Sequence, residues 1–193
     1  MPRSGLNRLR VIEVAAGIAD REGLQALTIA RLAAVLKVKP PSLYNHLANL
    51  DALHDELARR GLQELLDHSW QAVAGLAAGD ALEAMAHAQR LYAQKHPGVY
   101  KAAQLRVSNQ SAATRKVGEA YVMLALAVLR GYGLRGNTAL HAVRAIRSAL
   151  RGFIEIELDG GFGLPLDLDV SFETLIGMID SGLRAQKWTE PLT

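Results

Sequence analysis

Apolar residues recur along this chain at intervals of three and four, the spacing that lines one face of an α-helix, and no run of β-branched alternation suggests a strand. The first segment, about Leu6 to Glu22, puts Leu9, Ile12, Ala16 and Ala19 on one face, and Gly23 follows as a stop. Thr28 suits the N-cap of a short second helix with Ile29, Leu32, Ala33 and Leu36 inward. Beyond the turn Leu36-Lys37-Val38, Pro40 and Pro41 fit the first turn of a third helix, where a missing N–H costs nothing; Leu43 and Leu47 then face the core. A fourth helix starts near Asn49 and uses Leu50, Leu53, Leu57 and Leu65.

The same periodicity continues to the end of the chain. Asp80 with Glu83 makes a capping-box pattern, and Pro97 interrupts the chain after His96. A long helix is predicted from about Ser111 to Tyr132, stopping at Gly133. Asn137 is the expected cap of a helix running to about Asp159, Gly160 to Pro165 is a loop, and Ser171 opens a last helix through Gln186. The expected fold is all-α with about nine helices. A three-helix N-terminal domain with a helix-turn-helix sits on a connecting helix, and a helical C-terminal domain follows. The expected boundary divides 1–48, with the motif at about 27–46, from 49–193.

Composition narrows the classes of function. Half of the 193 residues are hydrophobic and 21% are charged, as in ordinary globular proteins. No apolar run is long enough for a membrane span, and Arg8, Arg10 and Glu13 break up any secretory leader. Cysteine is absent, which excludes disulfides and thiolate chemistry and fits a cytoplasmic location. The net charge is +3, and all of the excess lies in residues 1–60, with nine Lys/Arg against six Asp/Glu. A basic N-terminal third is the electrostatic footprint of a nucleic-acid-contacting domain.

The richest segment is Leu27 to His46. A recognition helix needs short polar side chains at its exposed end, where they reach base edges. Lys39, Ser42, Asn45 and His46 lie opposite Leu43 and Leu47, and Tyr44 can reach a phosphate while its ring packs. Thr28 offers a hydroxyl and backbone N–H groups to another phosphate.

Ala15-Ala16, Glu22-Gly23, Leu27-Thr28-Ile29, Leu32-Ala33 and the run Val38-Lys39-Pro40-Pro41-Ser42-Leu43-Tyr44-Asn45-His46-Leu47 together resemble the DNA-binding domain of the TetR family. The resemblance implies a dimeric regulator, repression being the family expectation. It also implies that Thr28, Lys39, Ser42, Tyr44 and His46 contact double-stranded operator DNA; Pro41, Asn45 and Lys37 complete the expected DNA-binding set. Two positions depart from the family pattern: Lys37 stands where glycine is usual, and Leu50 where a basic residue is usual.

Toward the C-terminus, one helix face carries Ala139, Ala142, Val143, Ile146, Ala149, Leu150 and Phe153, and the last helix presents Phe172, Leu175, Ile176, Ile179 and Leu183. Two such helices can pair as a hairpin, and two hairpins as a four-helix dimer interface. The expected homodimer contacts are therefore Ile146, Leu150, Phe153, Phe172, Ile176, Ile179 and Leu183. The run from Arg147 to Gly163, with Asp167, Asp169 and Ser171-Phe172 beyond it, resembles the WHG type of TetR C-terminal domain. Arg151 stands where histidine is usual, while Gly152 is kept. The resemblance implies an effector pocket in each C-terminal domain. Tyr92, Gln104, Tyr121 and Met123 are the candidate contacts for an unknown small molecule, with His87, Arg106 and Asn109 as further polar candidates.

No catalytic constellation stands beside this reading. The six histidines are scattered, with no pair at i, i+4, and there is no phosphate loop, Gly-x-Ser-x-Gly or acid pair. No cofactor and no metal are expected. The alternative is a helical adaptor, or an enzyme-like small-molecule binder, that does not bind an operator.

Overall fold

The computed structural model describes residues 6–105 and 110–185, and every regular element among them is helical. Helix α1 spans Arg8–Glu22 and is capped by Asn7, whose Oδ1 accepts the Arg10 N–H at 2.8 Å. It stops at Gly23, where φ is 88°, a conformation that a Cβ would strain. A 3-10 turn at Leu24–Ala26 leads into α2, Ile29–Leu36, and a second 3-10 helix covers Pro40–Asn45. The remaining helices are α3 Leu50–Val73, α4 Ala78–Lys95, α5 Pro97–Gln104, α6 Ala112–Arg130, α7 Gly136–Leu158 and α8 Leu168–Ala185. No described helix is long and apolar enough to cross a membrane.

Several boundaries differ from expectation for local reasons. Helix α4 begins at Ala78, so Asp80 lies in its first turn, where its charge faces the positive end of the helix, and does not form a capping box with Glu83. Helix α7 begins one residue before Asn137, with Arg135 at the N-cap. Helix α8 begins three residues before Ser171, because the Asp167 carboxylate accepts the N–H groups of Asp169 and Val170 at 2.8 and 3.3 Å. Ser171 instead donates its hydroxyl to the Asp167 carbonyl at 3.0 Å. Gln186, the expected end of this helix, lies outside the described residues. Leu9 is 74% exposed, because the buried face of α1 runs through Val11, Ala15 and Ile18 beside Ile12, Ala16 and Ala19 and leaves it at the edge.

The chain forms two compact units. The first comprises Met1–Glu64 and Lys95–Gly118. Its core holds Val11, Ile18, Leu32, Leu43, Leu53, Leu57 and Tyr100, all fully buried. Inside it α5 lies so close to α1 that a Cβ on Gly98 would fall 2.0 Å from the Ala19 carbonyl oxygen.

The second unit comprises Leu65–Gln94 and Glu119–Thr193. Leu82, Leu129, Leu134, Leu150, Ile154 and Phe172 form its apolar centre. Arg90 is buried within it, donating to both Glu157 oxygens at 2.8 and 2.6 Å and pairing with Asp169 at 2.8 Å. Its guanidinium also lies 4.8 Å from the Phe172 ring centre. The two carboxylates hold the guanidinium charged against the desolvation that opposes it, the buried Glu157 contributing more than the exposed, solvent-screened Asp169. This cluster joins α4, α7 and α8.

Candidate functional site

The helix-turn-helix is built by local chemistry. Thr28 adopts extended backbone and its Oγ1 accepts the Arg31 N–H at 3.1 Å, which starts α2 in one orientation. Arg31 then grips both Glu22 oxygens at 2.8 Å, fixing the end of α1 against the start of α2. At the far end Lys37 is left-handed, with φ 56° and ψ 41°. Its N–H donates to the Ala34 carbonyl at 3.2 Å and the Val38 N–H to Ala33 at 3.0 Å, the paired bonds of a Schellman ending. Just past the second helix the backbone therefore takes a positive φ, and a lysine occupies the place where glycine is usual.

The third helix is a six-residue 3-10 helix. Two consecutive prolines supply no N–H at its start, and i→i−3 bonds hold it, from Ser42 N–H to the Lys39 carbonyl and from His46 N–H to Leu43, each 2.9 Å. Leu43 and Leu47 are buried as expected. Pro41, Tyr44 and Asn45 are exposed, Ser42 and His46 are half-buried, and Lys39 is exposed at the N-cap. Tyr44 is the more open part of this expectation, with 55% of its surface exposed. Thr28 is exposed at the start of α2, and Leu50, in the place of the usual basic residue, is half-buried as the first residue of α3.

Charge is sorted within this first unit. Arg8 and Arg59 both bind Glu56, at 3.1 and 2.5 Å, and Arg60 binds Glu64 at 2.8 Å. The side chains of Lys37 and Lys39 are exposed and enter no hydrogen bond or ion pair among the described residues, which leaves a cation at each end of the turn that leads into the 3-10 helix.

The candidate effector residues separate. Tyr121 on α6 donates its hydroxyl to Gln89 Oε1 on α4 at 3.3 Å, and burial pushes its pKa up, against the smaller opposing effects of the Ser69 hydroxyl and Arg147. Tyr92 is buried with its ring centre 5.7 Å from that of His68. Met123 is 56% exposed, because residues two apart on a helix point about 200° apart and it cannot share the face of Tyr121. Gln104 lies half-buried on α5 in the first unit, and Arg106 and Asn109 fall outside the described residues. Sequence reasoning missed Ser69 and Gln89. Both are buried polar residues, and the Ser69 hydroxyl lies beside that of Tyr121. A polar residue on the apolar stripe Leu82, Met85, Ala86, Gln89, Ala93 was the signal that could have found Gln89.

The expected dimer contacts lie mostly within the chain itself. Ile146, Leu150, Phe172, Ile176 and Leu183 are buried in the chain's own core, and Phe172 is 0% exposed. Phe153 is half-buried, with ring centres 4.9 Å from Phe162 and 5.1 Å from Phe172. Ile179 is also half-buried. Side chains already withdrawn from water within one chain leave little surface for a second. The opposite face of α8 is the open one: Val170 and Met178 are 63% and 68% exposed, and a Cβ at Gly177 or Gly182 would meet nothing within 4 Å. On α7 a Cβ at Gly152 would also meet nothing within 4 Å and Ile156 is 45% exposed, and Leu164 and Leu166 on the loop before α8 are 74% and 67% exposed. Exposed apolar residues on these elements make a candidate interaction surface.

Comparison with known proteins adds to this geometry. Residues 82–179 match the family model described as tetracyclin repressor-like, C-terminal domain. Over 184 residues the chain is 37% identical to the HTH-type transcriptional regulator YobS of Bacillus subtilis, covering 94% of this chain and 95% of that one. The Streptomyces coelicolor TetR family protein ActR, solved in complex with (S)-DNPA, aligns with a TM-score of 0.69 at 25% identity, over 95% of this chain and 99% of its own. Mycobacterium smegmatis BioQ, solved with its double-stranded DNA operator, shares the fold with a TM-score of 0.68 at 24% identity, over 94% and 100% of the two chains.

Proposed function

The chain belongs to the TetR family of transcriptional regulators and is a DNA-binding regulator, and from that premise we propose that it acts as a homodimeric repressor released from its operator by a small molecule. The observation that carries the reading is the capped α2, the left-handed turn at Lys37 and the 3-10 helix with Pro41, Tyr44 and Asn45 turned outward. Residues 1–48 are the DNA-binding domain and 49–193 the effector-binding and dimerisation domain in this proposal.

Ser42, Asn45 and His46 read base edges, while Thr28, Lys37, Lys39 and Tyr44 hold phosphates, with Pro41 against the groove wall. Two chains join through the exposed α8 face at Val170, Gly177, Met178 and Gly182, with Gly152 and Ile156 of α7. Glycine in a helix interior costs about 0.5–1 kcal/mol relative to alanine, and close approach of a partner helix offsets that cost. The effector lies beside Ser69, Gln89 and Tyr121, whose hydroxyl and amide groups would offer it hydrogen bonds.

Footprinting on the DNA flanking the protein's own gene tests the proposal. The expected result is a palindromic site with half-sites about 34–36 Å apart, protected until the effector is added. Absence of any protected site in that DNA, together with no enrichment from a random duplex pool, would favour the adaptor alternative.

A further inference from the structure

Glu83 and His87 stand one turn apart on α4, and Glu173 on α8 reaches the same point. One ligand atom from each lies within 4.8 Å of the others, and His87 Nε2 is 2.7 Å from Glu173 Oε1. The imidazole is held edge-on against the buried Phe172 ring, with centres 5.5 Å apart and planes at 71°. Glu83 makes no hydrogen bond or ion pair among the described residues, and the position of Ala78 at the helix start removes it from a capping box. The nearby cation Arg90 is taken up by Glu157 and Asp169. Two carboxylates therefore flank one oriented imidazole, with no lysine or arginine paired to either.

We propose that Glu83, His87 and Glu173 form a binding site for a divalent transition-metal ion, with zinc as the best fit. One imidazole nitrogen and two carboxylate oxygens are a borderline donor set that suits zinc, whereas magnesium and calcium prefer all-oxygen shells. Zinc holds such atoms at about 2.0–2.2 Å, so the three must draw together from their present spacing. Rotation about the ends of two glutamate chains supplies that movement, while Phe172 keeps the imidazole in place. The side chains of His87 and Glu173 are 41% and 51% exposed, so the site is open to exchange and leaves coordination positions to water. A bound ion would tie α4 to α8, in place of a single hydrogen bond.

The test is zinc titration of the full-length, tag-free chain by calorimetry and thermal shift, with cobalt absorption as a geometric probe. The expected result is one ion per chain and a melting temperature that rises with zinc. Glu83→Gln leaves the His87–Glu173 pair intact, so it should keep the zinc-free melting temperature and weaken zinc binding at least about tenfold, the scale of losing a metal-site group. His87→Ala should abolish the cobalt absorption band. The proposal is overturned if the native chain binds no zinc, or if Glu83→Gln, His87→Ala and Glu173→Gln all bind it as the native chain does. A purely structural ion pair would show as His87→Ala and Glu173→Gln lowering stability with no zinc dependence in any variant, and this also overturns it.

Discussion

One carboxylate oxygen of Asp20, near the end of α1, accepts the backbone N–H of Gly98 at 2.9 Å and thereby caps the first turn of α5. The same oxygen accepts the Val99 N–H at 2.9 Å, and the other lies 3.2 Å from His96 Nδ1. An anion at a helix N-terminus meets both the unpaired N–H groups and the helix dipole. Helix α5 follows Pro97, so its capping side chain comes from α1, 76 to 79 residues earlier in sequence.

Two substitutions probe this contact. Asp20→Ala removes the cap and should cost about 0.5–2 kcal/mol by chemical denaturation. Gly98→Ala forces a methyl group into the α1 backbone and should cost about 1–3 kcal/mol by overpacking. Equal stability of Gly98→Ala and the native chain would mean that α1 and α5 do not approach this closely.

At Lys37 stability and binding should move in opposite directions. A Cβ at positive φ carries a cost of roughly 1–2 kcal/mol, so Lys37→Gly should raise the melting temperature. It should also weaken operator binding and make the slope of log K against log salt shallower by about one unit. Lys37→Ala keeps the strained backbone and loses the charge, so it should reproduce the binding defect without the gain in stability.

The proposed dimer face gives a contrast between two variants. Met178→Arg places a charge on the exposed side of α8 and should yield a folded monomer by sedimentation, with operator binding lost. Phe172→Ala opens the core of the second unit and should cost about 3–5 kcal/mol. A Met178→Arg protein that stays dimeric would move the interface elsewhere.

Glu56 sets a pH dependence. Its carboxylate is pulled below the usual range first by Arg59 and then by Arg8, against the desolvation that raises it. A carboxyl group whose folded pKa is depressed contributes stability above its unfolded value of about 4.3 and loses it as pH falls through the folded value. Glu56→Gln should therefore be less stable than the native chain at pH 7, and the difference should shrink steadily below about pH 5. A difference that is constant from pH 7 to pH 3 would contradict the assignment.

The helix-turn-helix was legible because its determinants are local. Thr28, Lys37, Pro40 and the Leu43/Leu47 pair each act within a few residues of themselves. Helix starts were less legible, because Asp80, Asn137 and Ser171 are as acceptable inside a first turn as at a cap. Which apolar face meets a partner was less legible for a deeper reason. Apolar periodicity shows that Phe172 and Ile176 are buried and says nothing about which chain buries them. The open face of α8 carries Val170 and Met178 between glycines, a weaker apolar stripe than Phe172, Ile176 and Leu183. The Asp20–Gly98 contact joins residues 78 apart, and no local pattern encodes it.

In the proposed mode the surface around Ser42, Asn45 and His46 reads operator sequence. Fluorescence anisotropy against the footprinted site and a scrambled duplex of equal length, at rising salt, measures this. Two chains per site are expected, with a preference for the operator that survives as salt weakens both complexes. Asn45→Ala should change the preferred base at one position per half-site, while Tyr44→Phe should weaken every sequence alike. Equal affinity for operator and scrambled duplex at every salt concentration would contradict it.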